Sequence, residues 1–135
     1  MTTVTLAQNY LWKATKRLKI LQVLLDEDDY SDVVREAQEI VELSQKGMLR
    51  WVGLDPPKWH DVGDILIEHA GKFPETVQAA LPELAKISKR LRKERELSFY
   101  GDIDFLPAEE YTREDALEAI AQAEYVVKVA AEVVK

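Results

Sequence analysis

Positively charged residues that could bind an anion are concentrated in one short segment of the 135-residue sequence. The segment "KISKRLRKER", residues 86–95, contains six of the 18 Lys and Arg residues, although the whole chain has a formal net charge of −7. Ammonium and guanidinium groups bind phosphate or carboxylate oxygens through charge-assisted hydrogen bonds. A basic segment in an acidic chain therefore indicates one confined anion site, and the net charge argues against a protein that coats nucleic acid.

Arg95 differs from the other basic residues in its predicted place on a helix. At about 100° per residue, Arg95 falls on the face that carries the apolar residues Leu84, Ile87 and Leu91, together with Ser98. An Arg on a buried stripe requires an acceptor, which could be a carboxylate of the same fold, a partner chain or a phosphate. The other basic residues are typical of a solvated face with local ion pairs: Lys86, Lys89, Arg90 and Lys93, with Glu94 and Glu96.

The two histidines do not have the spacing of a metal site. His60 follows a proline-rich turn near a predicted helix N-terminus, where exposed amides favour an anion, and a local capping role is the alternative. His69 lies on the apolar face of the same helix, which is typical of a core residue. Because the two are nine positions apart and the chain has no Cys, we expect neither a metal nor a cofactor. No phosphate-binding glycine loop, nucleophile elbow or dinucleotide fingerprint is present.

The elements that position these residues are predicted to be helices throughout. Apolar residues recur at spacings of three and four, and five glycines leave few hairpin turns. The acidic run "DEDD" favours a turn after the first helix, and "GDIDFLPAEE", residues 101–110, favours an ordered loop. The sequence therefore predicts one all-α domain over residues 1–135. The predicted helices cover residues 6–25, 31–52, 59–70, 75–99 and 112 to near the C-terminus. Thr5 and Gln8 have the spacing of a capping box for the first helix, and Gly71 would end the third. An interruption or kink is predicted at Pro82 in the fourth.

Aromatic residues are numerous near the predicted helix ends and loops. Such residues are typical of an interface between two copies, and packing within the chain's own core is the alternative. They are Trp12, Trp51, Trp59, Phe99, Tyr100 and Phe105. Residues 1–12 lack a basic stretch followed by an apolar run, and no apolar stretch approaches the ~18 residues of a membrane span. We therefore expect a cytoplasmic protein without membrane contact.

Three segments resemble the HEPN (higher eukaryotes and prokaryotes nucleotide-binding) domain. "YSDVVREAQEIVELSQKGMLRWVGLDPPKWHDVGDIL" is similar to its central signature, and "LRKERELSFYGD" and "TREDALEAIAQAEYVVKVA" resemble its third segment and closing helix. The resemblance extends from about residue 6 to residue 134. It implies an up-and-down bundle of four long helices plus one short helix, usually a homodimer. Genes of this family commonly lie beside a gene for a minimal nucleotidyltransferase, and the two proteins form a toxin and antitoxin pair. The resemblance therefore also implies such a partner.

Many members of this family cleave RNA without a metal, and this sequence departs from their motif. In those members an Arg is followed after four to six residues by a His, and both subunits contribute to one site. The Arg corresponds to Arg95, but Tyr100 occupies the place of the His, and no His follows position 69. A Tyr, with a pKa near 10, is a poor base for a ribose 2′-hydroxyl. The resemblance thus implies phosphate binding without cleavage, and the ligand-binding residues would be Arg92, Arg95, Tyr100 and Asp102.

The sequence favours a non-catalytic dimeric module that binds a nucleotide, RNA or an acidic partner beside a minimal nucleotidyltransferase. The first alternative is a metal-independent endoribonuclease toxin in which Arg95 acts with Tyr100 or His60. The second is a structural dimerisation subunit in which an interchain carboxylate, such as Glu94, Glu96 or Asp102, binds Arg95.

Overall fold

The computed structural model describes residues 2–58, 61–99, 106 and 110–135, with only the backbone described for residues 95–99. Across these residues the chain is helical and contains no strand. The elements are α1 (Thr3–Asp26), α2 (Tyr30–Trp51), α3 (Val62–Glu68), a 3-10 turn (Ala70–Lys72), α4 (Glu75–Phe99) and α5 (Arg113–Val133). The predicted bundle of four long helices and one short helix is confirmed.

Helix α2 occupies the centre of the bundle and packs against α1, α4 and α5. Its apolar side chains are buried around most of its circumference, among them Val33, Ile40 and Leu49. The buried carboxylate of Glu36 accepts hydrogen bonds from Arg17 of α1, from Nε at 2.6 Å and from Nη2 at 3.3 Å. A buried carboxylate requires such a partner, because desolvation of an unpaired charge is costly. This ion pair therefore fixes α1 against α2.

The helix ends follow from side-chain caps, and the predicted cap of α1 is wrong. Thr2, not Thr5, caps α1 by accepting a hydrogen bond from the amide of Thr5. The acidic run ends α1 and forms the turn to α2, in which Asp28 has a φ of 60°. The capping box of Thr112 and Asp115 begins α5 as predicted.

The second half of the chain contains the other two differences from prediction. The sequence predicts that Gly71 ends α3, but His69 is the C-cap residue and Gly71 lies in the 3-10 turn. Helix α4 continues through the exposed Pro82 without a break. Among the predicted interface aromatics, Trp51 packs half-buried against the core and Trp12 is exposed. For the other four, the side chains lie outside the described residues.

Helix α3 lies unusually close to α4 because a glycine forms the contact. A Cβ atom on Gly63 would lie 2.7 Å from the Cα of Ala85. Beside this contact, Oδ1 of Asp61 accepts hydrogen bonds from the amide of Gly63 at 2.9 Å and from the hydroxyl of Ser88 at 3.2 Å. The start of α3 is therefore fixed against the middle of α4.

Replacing Gly63 with Ala should destabilise the protein. The new methyl group meets backbone that cannot rotate away, so we expect the free energy of unfolding to fall by about 1–3 kcal/mol. Urea denaturation followed by circular dichroism measures this change. Gly71→Ala is the matched control, because its Cβ would meet nothing within 4 Å and the substitution should be neutral or slightly stabilising. Equal effects of the two substitutions would contradict the close contact.

Asp32, in the first turn of α2, should make stability depend on pH. Burial, followed by a side-chain hydrogen bond with Asp29, raises the pKa of Asp32 to about 6. Because the folded protein binds this proton more tightly than the unfolded chain, the Asp32 contribution to stability is present below about pH 4 and is lost as pH rises through about 6. Asp32→Asn should therefore gain stability over the wild type across this range, with a constant difference above it. Chemical denaturation between pH 4 and 8 tests the trend, and a difference independent of pH would contradict it.

Candidate functional site

The basic segment forms an exposed surface on the second half of α4. Leu84, Ile87 and Leu91 are buried, as the helical periodicity predicts. The Lys and Arg residues whose side chains are described are exposed on the remaining circumference: Lys86, Lys89, Arg90, Arg92 and Lys93. The amphipathic helix therefore separates its core contacts from its cationic surface.

Two of these basic residues bind polar groups of neighbouring helices instead of carboxylates within α4. Nζ of Lys89 lies 3.2 Å from Oδ1 of Asp64 on α3. Arg90 donates hydrogen bonds to Glu118 and Gln122 of α5. The predicted local pairing with Glu94 is wrong for these two residues, because α3 and α5 pack along α4 and bring their own acceptors to it. Glu96 has no described side chain.

Lys86, Arg92 and Lys93 make no ion pair with any described side chain. Lys86 and Lys93 are seven positions apart, so they lie on the same side of α4 and about 10 Å apart along its axis. We call these three residues the α4 cationic edge. Their charges remain available to an external anion, whereas those of Lys89 and Arg90 are largely neutralised within the fold.

Tyr111 fixes the start of α5 to the turn of α4 that immediately precedes Arg95. Its side chain is buried, and its hydroxyl donates to Oε2 of Glu94 at 2.6 Å. Burial, reinforced by the interaction with Glu94, raises the pKa of Tyr111 well above its ordinary value. The phenol therefore stays protonated and continues to donate to Glu94 throughout the physiological pH range.

A groove of about 200 Å³ lies beside this contact, between α2, α4 and α5. Arg90 lines it together with three carboxylates, those of Glu94, Asp115 and Glu118. Because the negative groups outnumber the single cation, the groove repels anions. This groove is therefore not a candidate anion site, and the candidate on the described part of α4 is the cationic edge.

Of the predicted site residues, Arg92 alone has a described side chain, which is exposed. Arg95 belongs to α4 by its backbone; its side chain lies outside the described residues, as do His60, Tyr100 and Asp102. Asp61, the neighbour of His60 in sequence, binds Ser88, which is seven positions before Arg95 and about 10 Å from it along the helix. The structure thus places Asp61 beside this part of α4. The two predicted bases, His60 and Tyr100, lie outside the described residues.

The sequence interpretation missed the contacts that hold α4 on both sides. The position of Tyr111 directly before a capping box favours packing against α5 itself, so it gave no signal for the bond to Glu94. The pairs of Lys89 and Arg90 had none, since exposed acidic residues occur on every helix. His69 is half-buried at the end of α3. No group of three His, Cys, Asp or Glu residues among the described side chains could hold a metal ion.

Comparison with known proteins gives a consistent result. No curated protein matches the sequence. In the described part of the chain, no helix has the length and apolar character to cross a membrane. The structure is similar to the crystal structure of TT1696 from Thermus thermophilus, with a TM-score of 0.72 and 26% sequence identity over 93% of this chain and 96% of that chain. The family model of the HEPN domain matches residues 7–133. The chain therefore belongs to the HEPN domain family.

Proposed function

We propose that this protein is a non-catalytic, dimeric HEPN module that binds the phosphate groups of RNA or a nucleotide through the C-terminal half of α4. Its proposed partner is a minimal nucleotidyltransferase, in a toxin and antitoxin pair. The observation that carries the proposal is the α4 cationic edge: three exposed cations without an ion-pair partner among the described residues, in a chain of net charge −7.

The packing of α4 supports this assignment because it holds the cationic edge in place. Asp61 and Asp64 bind α4 on the α3 side, and Glu118 and Tyr111 bind it on the α5 side. A phosphate contact on a rigid helix loses less conformational entropy than one on a mobile segment. In the proposal, Arg95 adds a guanidinium one turn beyond Arg92, and Tyr100 and Asp102 complete the ligand contacts.

A metal-independent endoribonuclease is a second candidate function, favoured by the contact between Asp61 and Ser88. That contact brings the residue after His60 to α4, two turns before Arg95. A His near neutral pKa is a suitable base for a 2′-hydroxyl. Tyr100 is the alternative base, and it requires a large depression of its pKa.

The proposed function predicts RNA retention without cleavage. Metal-free protein should retard a mixed single-stranded RNA in a native gel and leave its length unchanged. Arg92→Ala and Arg95→Ala should each weaken binding by about tenfold, because each removes a charged hydrogen-bond donor. Each should also reduce the slope of log affinity against log salt by about 0.7 for each phosphate that the variant no longer binds. Lys128→Ala is the matched control, since Lys128 is exposed on α5 without a described ion pair.

The same assay separates the alternatives. RNA cleavage that disappears in Arg95→Ala, and in either Tyr100→Phe or His60→Ala, would replace the binding module with the ribonuclease. If RNA is neither retained nor cleaved, the structural dimerisation subunit is the remaining function, and in it Arg95 binds an interchain carboxylate. Sedimentation equilibrium of the same samples tests the proposed dimer, and a monomer at micromolar concentration would contradict it.

A further inference from the structure

Helix α1 presents apolar side chains to solvent on the side opposite its core contacts. Its buried residues, Ala7, Ala14, Leu21 and Leu25, face α2 and α5. On the outward side, 60% of Trp12, 38% of Ile20 and 61% of Val23 are exposed. We call the surface formed by Trp12, Lys16, Lys19, Ile20 and Val23 the α1 stripe. These residues lie within about 100° of the helix circumference and cover about three turns, roughly 16 Å.

The α1 stripe is cationic as well as apolar. Lys16 and Lys19 belong to it and Lys13 borders it; all three are exposed, and none forms an ion pair with a described carboxylate. The ammonium group of Lys16 lies 5.8 Å from the centroid of the Trp12 ring, which is within the range of a cation–π contact. Acidic residues follow only after the stripe, from Asp26 onward.

Trp12 also borders a groove that could receive a large side chain. The groove has a volume of about 460 Å³ and is lined by Gln8, Leu11, Trp12, Thr15, Lys16 and the C-terminal residues of the chain. Exposed aromatic residues beside a pocket are typical anchors of protein interfaces, because their burial contributes much of the binding energy.

We propose that the α1 stripe binds an acidic amphipathic helix of another protein. The apolar side chains require a partner that removes them from water, and the three lysines require carboxylates beside those apolar contacts. A second copy of α1 does not meet both requirements, because antiparallel pairing of two stripes opposes lysine to lysine. Asp26 makes the C-terminal end of α1 acidic, so the part of the bound helix that lies beside Asp26 should lack carboxylates.

A polyanion is a less suitable occupant than a helix. An anionic bilayer or an RNA carries negative charge over its whole length and would also meet the carboxylates that follow the stripe, at residues 26–29. A helix can restrict its carboxylates to the three turns that face the lysines. RNA, moreover, offers little aliphatic surface against Ile20 and Val23. The proposed contact is independent of the α4 cationic edge, since α1 packs on α2 and α5.

Peptide binding tests this inference directly. The probes are three fluorescent 18-residue helical peptides with the same Leu and Phe positions and with Glu, Gln or Lys at the polar positions. Fluorescence anisotropy should show binding of the Glu peptide, and the Gln peptide should bind about tenfold more weakly because it lacks the ion pairs. Trp12→Ser and the combined Lys13, Lys16 and Lys19→Glu substitutions should each remove at least tenfold in affinity for the Glu peptide.

Leu117→Ser is the matched control, because Leu117 is also an exposed apolar residue but lies on α5, and it should not alter peptide affinity. Circular dichroism establishes that each variant remains folded. Failure of the Glu peptide to bind at about 100 μM, equal affinity for all three peptides, or insensitivity to Trp12→Ser would overturn the proposal. So would tighter binding of single-stranded RNA or of phosphatidylserine vesicles that depends on the same lysines.

Discussion

The burial of α2 on several sides is the constraint on which the rest of the structure depends. Because α2 is covered by α1, α4 and α5, most of the polar side chains on its covered sides lie where a hydrogen-bond partner inside the bundle is strongly favoured. Glu36 binds Arg17 of α1, and the amide nitrogen of Gln45 donates to the carbonyl of Leu84 on α4. These contacts specify which residues of the outer helices lie beside α2. The helical register, and not only the number of helices, follows from them.

The candidate anion site is determined by what its neighbours neutralise. Helices α3 and α5 both bring carboxylates to α4, where they bind Lys89 and Arg90. Of the cations that remain, Lys86 and Lys93 lie on the side of α4 away from its core contacts, and Arg92 lies about 100° around the helix from Lys93, towards the α3 side. In the same way, Lys13, Lys16 and Lys19 of α1 form no ion pair with a described carboxylate, because the outer side of α1 faces away from α2 and α5. An acidic protein thus retains two separate cationic surfaces, and one of them is also apolar.

Much of the fold was predictable because it depends on local patterns. Apolar spacing located every helix, and the capping box at Thr112 gave the start of α5. The boundaries that were wrong, at Thr5 and Gly71, depend on which of several nearby residues forms the cap, and sequence alone ranks these poorly. The buried and exposed sides of α4 were also predictable from periodicity, as far as Glu94. The partners of Lys89, Arg90 and Glu94 were not predictable. Those of Arg90 and Glu94 lie 17 or more residues away in sequence, and that of Lys89 depends on the close contact at Gly63. The resemblance gave the family, and it was the source of Tyr100 and Asp102 as candidate ligand-binding residues.

The short acidic turn between α1 and α2 also bears on how the protein folds. Two helices joined by three residues meet after closing a small loop, which costs little chain entropy, so this hairpin can form early and rapidly. Helix α5 must instead return to α2 from about 80 residues away, so its docking is the contact with the largest entropy cost. During synthesis on the ribosome, α1 and α2 emerge first and leave the apolar side of α2 uncovered until α5 has been made. The nascent chain therefore passes through an interval in which its future core is accessible to chaperones and to other chains.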